Sequence, residues 1–424
     1  MIVRSSTTSA PAEQAAAAHA AAASMLLVVN DGDGRKNDWY GDPDEKTTGP
    51  VPVASVTLDD GEELIRTLAT AEKTRTTLTV EAHPAPEYLY DLADYHQGGV
   101  PDDPSAATDP GSLARIDNTF APPASKQIVE SREDSPSYEY WLAAYPYAVY
   151  GGTRVPPFPR EPVAPGHRTD WVSAGNGVKW QQYATIDGWS TFTDIAGYQP
   201  RSVQSEHWFG PITRPRMVSF EVPHRVGDAM GGTLAGFGDG GSAHSGDTGL
   251  MSRSFSLYQG DKLLMQNGPR PDFGVGDLAP QKLPYRLVAD TKGNTDLTPY
   301  STTTHTEWKF ISGNVDDQAI PLVQLDYGTD LDLAGRAERA SALSVEPVVV
   351  GGDAAQDAVA SVKLEVSYDD GVSWLPQAMK DDKGTWQTRL RAPARARYVS
   401  IRVTAEQRDG GGVTQTISRA FGLK

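Results

Sequence analysis

The chain has 424 residues, with 55 Asp and Glu against 38 Lys and Arg and no cysteine. A formal net charge of -17 repels phosphate backbones and excludes nucleic acid as an expected partner, and without cysteine there are neither disulfides nor thiolate metal sites. No stretch approaches the ~18 apolar residues of a membrane span, and 41 Gly and 31 Pro punctuate short alternating apolar runs, as in a mainly β chain.

The first 75 residues differ from the rest. "MIVRS" predicts a strand, and Ser9 to Ala23 an Ala-rich helix opened by Ser9 and Pro11. "MLLVV" (Met25 to Val29) predicts a buried strand, and "PVASV" (Pro52 to Val56) another. Thr57 then caps a helix with Leu64, Ile65 and Leu68 on one face and Asp60 at the capping-box position. The result is a small α/β unit, 1–75. In "AAAAHAAAASMLLVV" the small residues precede the apolar run and "NDGDGR" follows it, so no signal peptide is expected there.

From 76 to 334 the pattern has period two and predicts a jelly-roll-like β-sandwich. "TLTVEAH" opens it, and the Pro- and Asp-rich passage from Pro101 to Pro123 has no clear periodicity. Strands are expected at 168–174, 178–186, 285–290, 305–312 and 321–327. A hairpin is expected at 253–266, turning at Gln259-Gly260-Asp261. Residues 335–424 predict a separate immunoglobulin- or fibronectin-III-like sandwich. There Val362, Leu364, Val366 and Tyr368 alternate with polar residues, and "YVSIRVTA" (398–405) does the same.

The stretch "AHSGDTG" (Ala243 to Gly249) joins a histidine to an Asp-Thr-Gly triplet. A serine hydrolase needs nucleophile, base and orienting carboxylate, and the chain has no Gly-x-Ser-x-Gly elbow. An aspartic protease needs two Asp-Thr-Gly triplets, and there is one. The stretch is therefore read as an inter-strand loop. Asp239 and Asp247 are its candidate calcium ligands, the one cofactor suggested, although two carboxylates make a poor set for that cation. "NDGDGRKND" (Asn30 to Asp38) resembles a calcium loop but puts Arg35 and Lys36 where an oxygen ligand and a glycine belong.

"SYDDGVSW" (Ser367 to Trp374) fits the Asp-box pattern, with Ser373 in place of Thr, and predicts a hairpin whose Trp374 returns to the layer of Val362, Leu364 and Val366, near Trp386. A sialidase would repeat that box; this chain has one. Among the aromatic residues Trp171, Trp180, Trp189, Trp208 and Phe209 a core role is the ordinary reading, with a sugar- or peptide-binding platform as the alternative. "HWFGPITRPR" (His207 to Arg216) is the candidate ligand surface, through Trp208, Phe209, Arg214 and Arg216.

Three passages taken in order resemble the non-catalytic C-terminal portion of large secreted subtilisin-like serine peptidases of actinobacterial type. "AAAAHAAAASMLLVVNDGDGR" with "PVPVASVTLDDGEELI" is similar to the later part of a protease-associated domain. "RTDWVSAGNGVKW", "HWFGPITRPR" and "STTTHTEWKF" are similar to the β region beyond it. "VKLEVSYDDGVSWLP" with "APARARYVSIRVTAEQRDGGGVTQTISRAFGL" is similar to the terminal sandwich. The resemblance implies secretion, a subtilisin-like catalytic domain as partner, protein or peptide as substrate, and a chain that begins inside the protease-associated unit. The family's His-Gly-Thr and Gly-Thr-Ser-Met segments do not occur in the sequence, so no catalytic residue carries over and the chain alone is expected to be inactive. The competing reading is a free-standing extracellular adhesive or carbohydrate-binding β-sandwich protein.

Overall fold

The structure, a computed structural model, describes residues 1–5, 8–32, 40, 49–70, 79–81, 87–93, 102–103, 105, 108–121, 128–135, 161–163, 166–175, 177–186, 189–217, 222–234, 237–241, 244–248, 252–267, 272–293, 295, 298–351 and 359–424. They divide into two units, 1–83 and 84–424, so the first break lies at 83/84 rather than at 75/76.

In the first unit β1 (Ile2–Arg4), α1 (Pro11–Ala20), β2 (Leu26–Val29), β3 (Val53–Val56) and α2 (Leu58–Thr70) follow one another in the expected order. The three strands are parallel with β2 central, and all four of its residues are buried, as an apolar run with neighbours on both sides requires. Helix α2 starts at Thr57, whose Oγ accepts from the Asp60 N–H at 3.2 Å and donates to the Asp60 carboxylate at 2.7 Å. Helix α1 is capped differently from the expectation: Ala10, not Ser9, is the cap, and the Glu13 carboxylate accepts its N–H at 3.2 Å. Gly61 lets α2 settle on the sheet, since a Cβ there would lie 2.4 Å from Val29 Cγ1.

The second unit is mainly β, built of sheets packed face to face. A four-stranded sheet runs Val203–Trp208, Leu113–Phe120, Gly166–Ser173, Tyr88–Asp91. A five-stranded sheet runs His244–Thr248, Trp189–Thr193, Lys179–Ile186, Ile128–Ser135, Glu161–Val163. Ala114, Ile116, Val172 and Trp180 pack between the two, as do Phe120, Ala184 and Trp208.

A nine-stranded sheet follows, with the neighbouring strands Leu283–Lys292, Thr303–Ser312, Gly412–Leu423, Tyr398–Gln407 and Val359–Ser367 at its centre. It shares a core containing Phe255, Leu287, Trp308, Val345, Leu364 and Ile401 with a smaller sheet that includes Leu322–Gly328 and Ala342–Val350. The hairpin expected at 253–266 is present, as Ser252–Gln259 and Lys262–Asn267, and Gly260 at its turn has φ +57°.

Two expectations are corrected. The boundary at 334/335 does not separate compact units: Thr303–Ser312 pairs along Gly412–Leu423, with Trp308 opposite Val413, so residues on either side of it share one sheet and one core. The aperiodic passage holds a strand, Leu113–Phe120. Of "TLTVEAH", Thr79 to Glu81 form no strand; the remainder, like residues 33–38 of "NDGDGRKND", lies outside the described residues.

Candidate functional site

The stretch read as a loop is a strand, His244–Thr248, antiparallel to Trp189–Thr193, and it places His244 opposite Thr193. Pairing draws the imidazole fully into the interior between the two sheets. Its Nδ1 lies 2.6 Å from Asp239 Oδ1 and its Nε2 2.9 Å from Glu206 Oε2, so each ring nitrogen donates to a carboxylate. The Trp208 ring lies against it at 4.1 Å between centroids. Burial pushes the imidazolium toward neutrality, but Asp239 and then Glu206 more than offset this and raise its pKa to about 9.

Asp239 is fully buried. Oδ1 accepts from His244 and from the Gly241 N–H at 2.9 Å, and Oδ2 accepts from the Phe209 N–H at 2.7 Å. Phe209 has φ +59°, and the carboxylate contact helps fix that left-handed backbone. A cation at Asp239 would have to compete with His244 and the Gly241 N–H for Oδ1. The side chain of Asp247 lies outside the described residues, its backbone facing Ser190 across the strand pair. Among the described residues no cluster of three or more His, Asp or Glu side chains is placed to hold a metal.

The expected ligand surface is interior. Trp208, Phe209, Arg214 and Arg216 are 0%, 3%, 2% and 6% exposed. Arg214 spends its guanidinium on the carbonyls of Leu325 (2.7 Å), Asp239 (2.7 Å) and Ile212 (3.1 Å) and on the Asp326 carboxylate. Arg216 Nε reaches the same carboxylate at 3.1 Å. Trp208 Nε1 donates to Asn118 Oδ1 (2.9 Å), Asn118 Nδ2 donates to Asp170 (2.8 Å), and Arg168 forms a fork on Asp170 with two 2.7 Å bonds. Arg168 in turn covers the Phe120 ring, 5.4 Å from its centroid. Charge pairing and shared donors make these residues tolerable inside the protein, where a lone polar group would be costly.

Chemically the arrangement is a held cation. An imidazole acts as a base through a nitrogen lone pair directed at a nucleophile; here each ring nitrogen faces a carboxylate instead. Ser245 Oγ, the nearest described hydroxyl in sequence, donates to the Arg216 carbonyl at 3.2 Å. Ser242 lies outside the described residues.

The Asp-box forms the expected hairpin between Val359–Ser367 and Leu375–Gln377. Asp369 accepts from the Ser373 hydroxyl and, at 2.9 Å, from the Ser373 N–H, with a further bond from the Ser367 hydroxyl at 2.8 Å. Those donors hold its pKa down to about 2. Trp374 takes the other side of the sheet from the one expected. Its ring lies 4.1 Å from the Arg402 guanidinium, and Arg402 is paired with Glu365 on the polar face, opposite Leu364 and Val366. Trp386 is partly buried and packs on the core, as expected.

Glu206, Asn118, Asp170 and Asp326 are absent from the candidates that the sequence offers. A trace of two of them exists: Gln204, Glu206 and Trp208 alternate toward one face, and Asp326 is a charge inside the otherwise apolar "PLVQLDY".

No protein-family model matches the chain, and no curated protein matches its sequence. Solved structures with some likeness include chicken CNTN1 FN1–FN3 domains, at 9% identity and TM-score 0.16 over 71% of this chain and 99% of that one. Another is the N-terminal four Ig domains of Dscam1 isoform 1.9, at 10% identity and TM-score 0.15 over 73% of this chain and 75% of that one. Overlaps this loose carry no inference about fold or function. No helix among the described residues is long and apolar enough to cross a membrane.

Proposed function

We propose that the chain is a non-catalytic accessory region of a secreted subtilisin-like serine endopeptidase, which binds or positions protein substrate or shields the catalytic domain. The order of the three passages similar to such peptidases supports the family. The observation that carries the non-catalytic role is the double engagement of His244: with Asp239 on one nitrogen and Glu206 on the other, neither ring nitrogen of the histidine of "AHSGDTG" is directed at a nucleophile.

The purified chain should leave casein intact and remain unlabelled by a fluorophosphonate probe. Fused to a subtilisin-like catalytic domain, it should change that domain's KM for casein while leaving kcat for a small chromogenic peptide unaltered. Turnover or labelling of the isolated chain would contradict the non-catalytic role; an unchanged KM would contradict the accessory one.

A further inference from the structure

The four-stranded sheet buries one face in the network around Trp208 and Asp170, while the other face carries exposed and half-buried side chains. Strand register fixes what that second face carries. Tyr90, Trp171, Arg115 and Val203 lie opposite one another in one row, and Tyr88, Thr169, Asp117 and Ser205 in the next. Tyr88 and Tyr90 are 61% and 55% exposed, with their rings edge to face at 5.9 Å, and Trp171 is half-buried beside them. A cavity of about 240 Å³ opens between Tyr90, Leu92, Pro110, Leu113 and Trp171. Such a cluster of large apolar side chains on a solvent face marks a binding surface more often than a packing accident.

The polar groups beside the rings indicate the chemistry of the ligand. Arg115 Nε donates to Asp117 at 2.7 Å, and Thr169 Oγ donates to the same carboxylate at 3.2 Å. The two charges cancel, so the row offers donors and acceptors without net charge. A chain with a net charge of -17 also disfavours an anionic ligand.

A pyranose presents a C–H face to aromatic rings and, at its edge, hydroxyls that both donate and accept. A polyproline segment could lie on the same rings, but its backbone offers acceptors only and leaves Asp117 without a new donor. We propose that this face, centred on Tyr90 and Trp171, binds a neutral oligosaccharide. The face is independent of the accessory role, which concerns protein substrate, and is tested without any protease domain.

The full chain would be titrated by calorimetry with cellohexaose, mannohexaose and chitohexaose, and separately with decaproline. At least one hexasaccharide should bind, and Tyr90→Ala should weaken it by about tenfold, the loss of one stacking partner. Trp171→Ala should do the same or more; since that ring is half-buried, the exposed Tyr90 and Tyr88 variants keep the test valid if it fails to fold. Lys363→Ala, on another sheet, should bind like the parent. Absence of binding to all three sugars, binding unaffected by Tyr90→Ala, or binding of decaproline alone would each overturn the proposal, the last by giving the face to a peptide.

Discussion

Asp326 receives both Arg214 and Arg216 in the interior, and its removal would leave two buried guanidinium groups with carbonyl oxygens alone. Breaking a buried ion pair from one side costs ~3 to 5 kcal/mol. Asp326→Ala should therefore lower the urea midpoint by a corresponding amount, and a loss below ~1 kcal/mol, the range of surface pairs, would mean that the arginines find water instead. The sequence could not announce this arrangement. Arginine is ordinarily exposed, so "TRPR" reads as surface; it is buried because three carbonyl groups and a carboxylate, supplied by residues that are distant in the chain or bend back locally, absorb the donors of Arg214.

Elements were legible where the inward residues are apolar. Val359–Ser367 and Tyr398–Gln407 announce themselves through alternation of Val, Leu and Ile with polar residues. Leu113–Phe120 and His244–Thr248 did not, because Asn118 and His244 occupy inward positions and break the apolar pattern, although each is satisfied by its network. The side taken by Trp374 was likewise hidden. Asp370 and Gly371 have φ +56° and +90°, and the turn they make returns the chain to the face of Arg402. Trp374→Ala should accordingly cost ~1 to 2 kcal/mol, the worth of a half-buried cation–π contact. Trp308→Ala should cost ~3 to 5 kcal/mol, because Trp308 is buried in the shared core with its Nε1 on the Val323 carbonyl at 2.8 Å. Urea midpoints of the two variants in the full chain check this, and equal effects would contradict it.

Across the whole molecule, the joining of Thr303–Ser312 to Gly412–Leu423 left no local trace, because pairing between distant strands depends on neither segment's own pattern. Residues 335–424 look self-sufficient by alternation and yet complete a sheet begun before them, in Leu283–Lys292 and Thr303–Ser312. The four- and five-stranded sheets are joined by polar contacts as well as apolar ones, and these centre on His244, with Glu206 on one sheet and Asp239 in the segment entering the other. A folded pKa raised from 6.5 to about 9 means that His244 adds stability in full below pH 6.5 and loses it as pH rises through 9. A shift of that size corresponds to ~3 kcal/mol near neutral pH. Whether this histidine is a structural cation or a base bears directly on the proposed non-catalytic role of "AHSGDTG". The nitrogen-15 chemical shifts of its ring, followed by NMR through a pH titration of the full chain, measure this directly. Both nitrogens should be protonated at neutral pH and titrate near 9; a neutral ring with one free nitrogen, titrating at or below 6.5, would contradict the account.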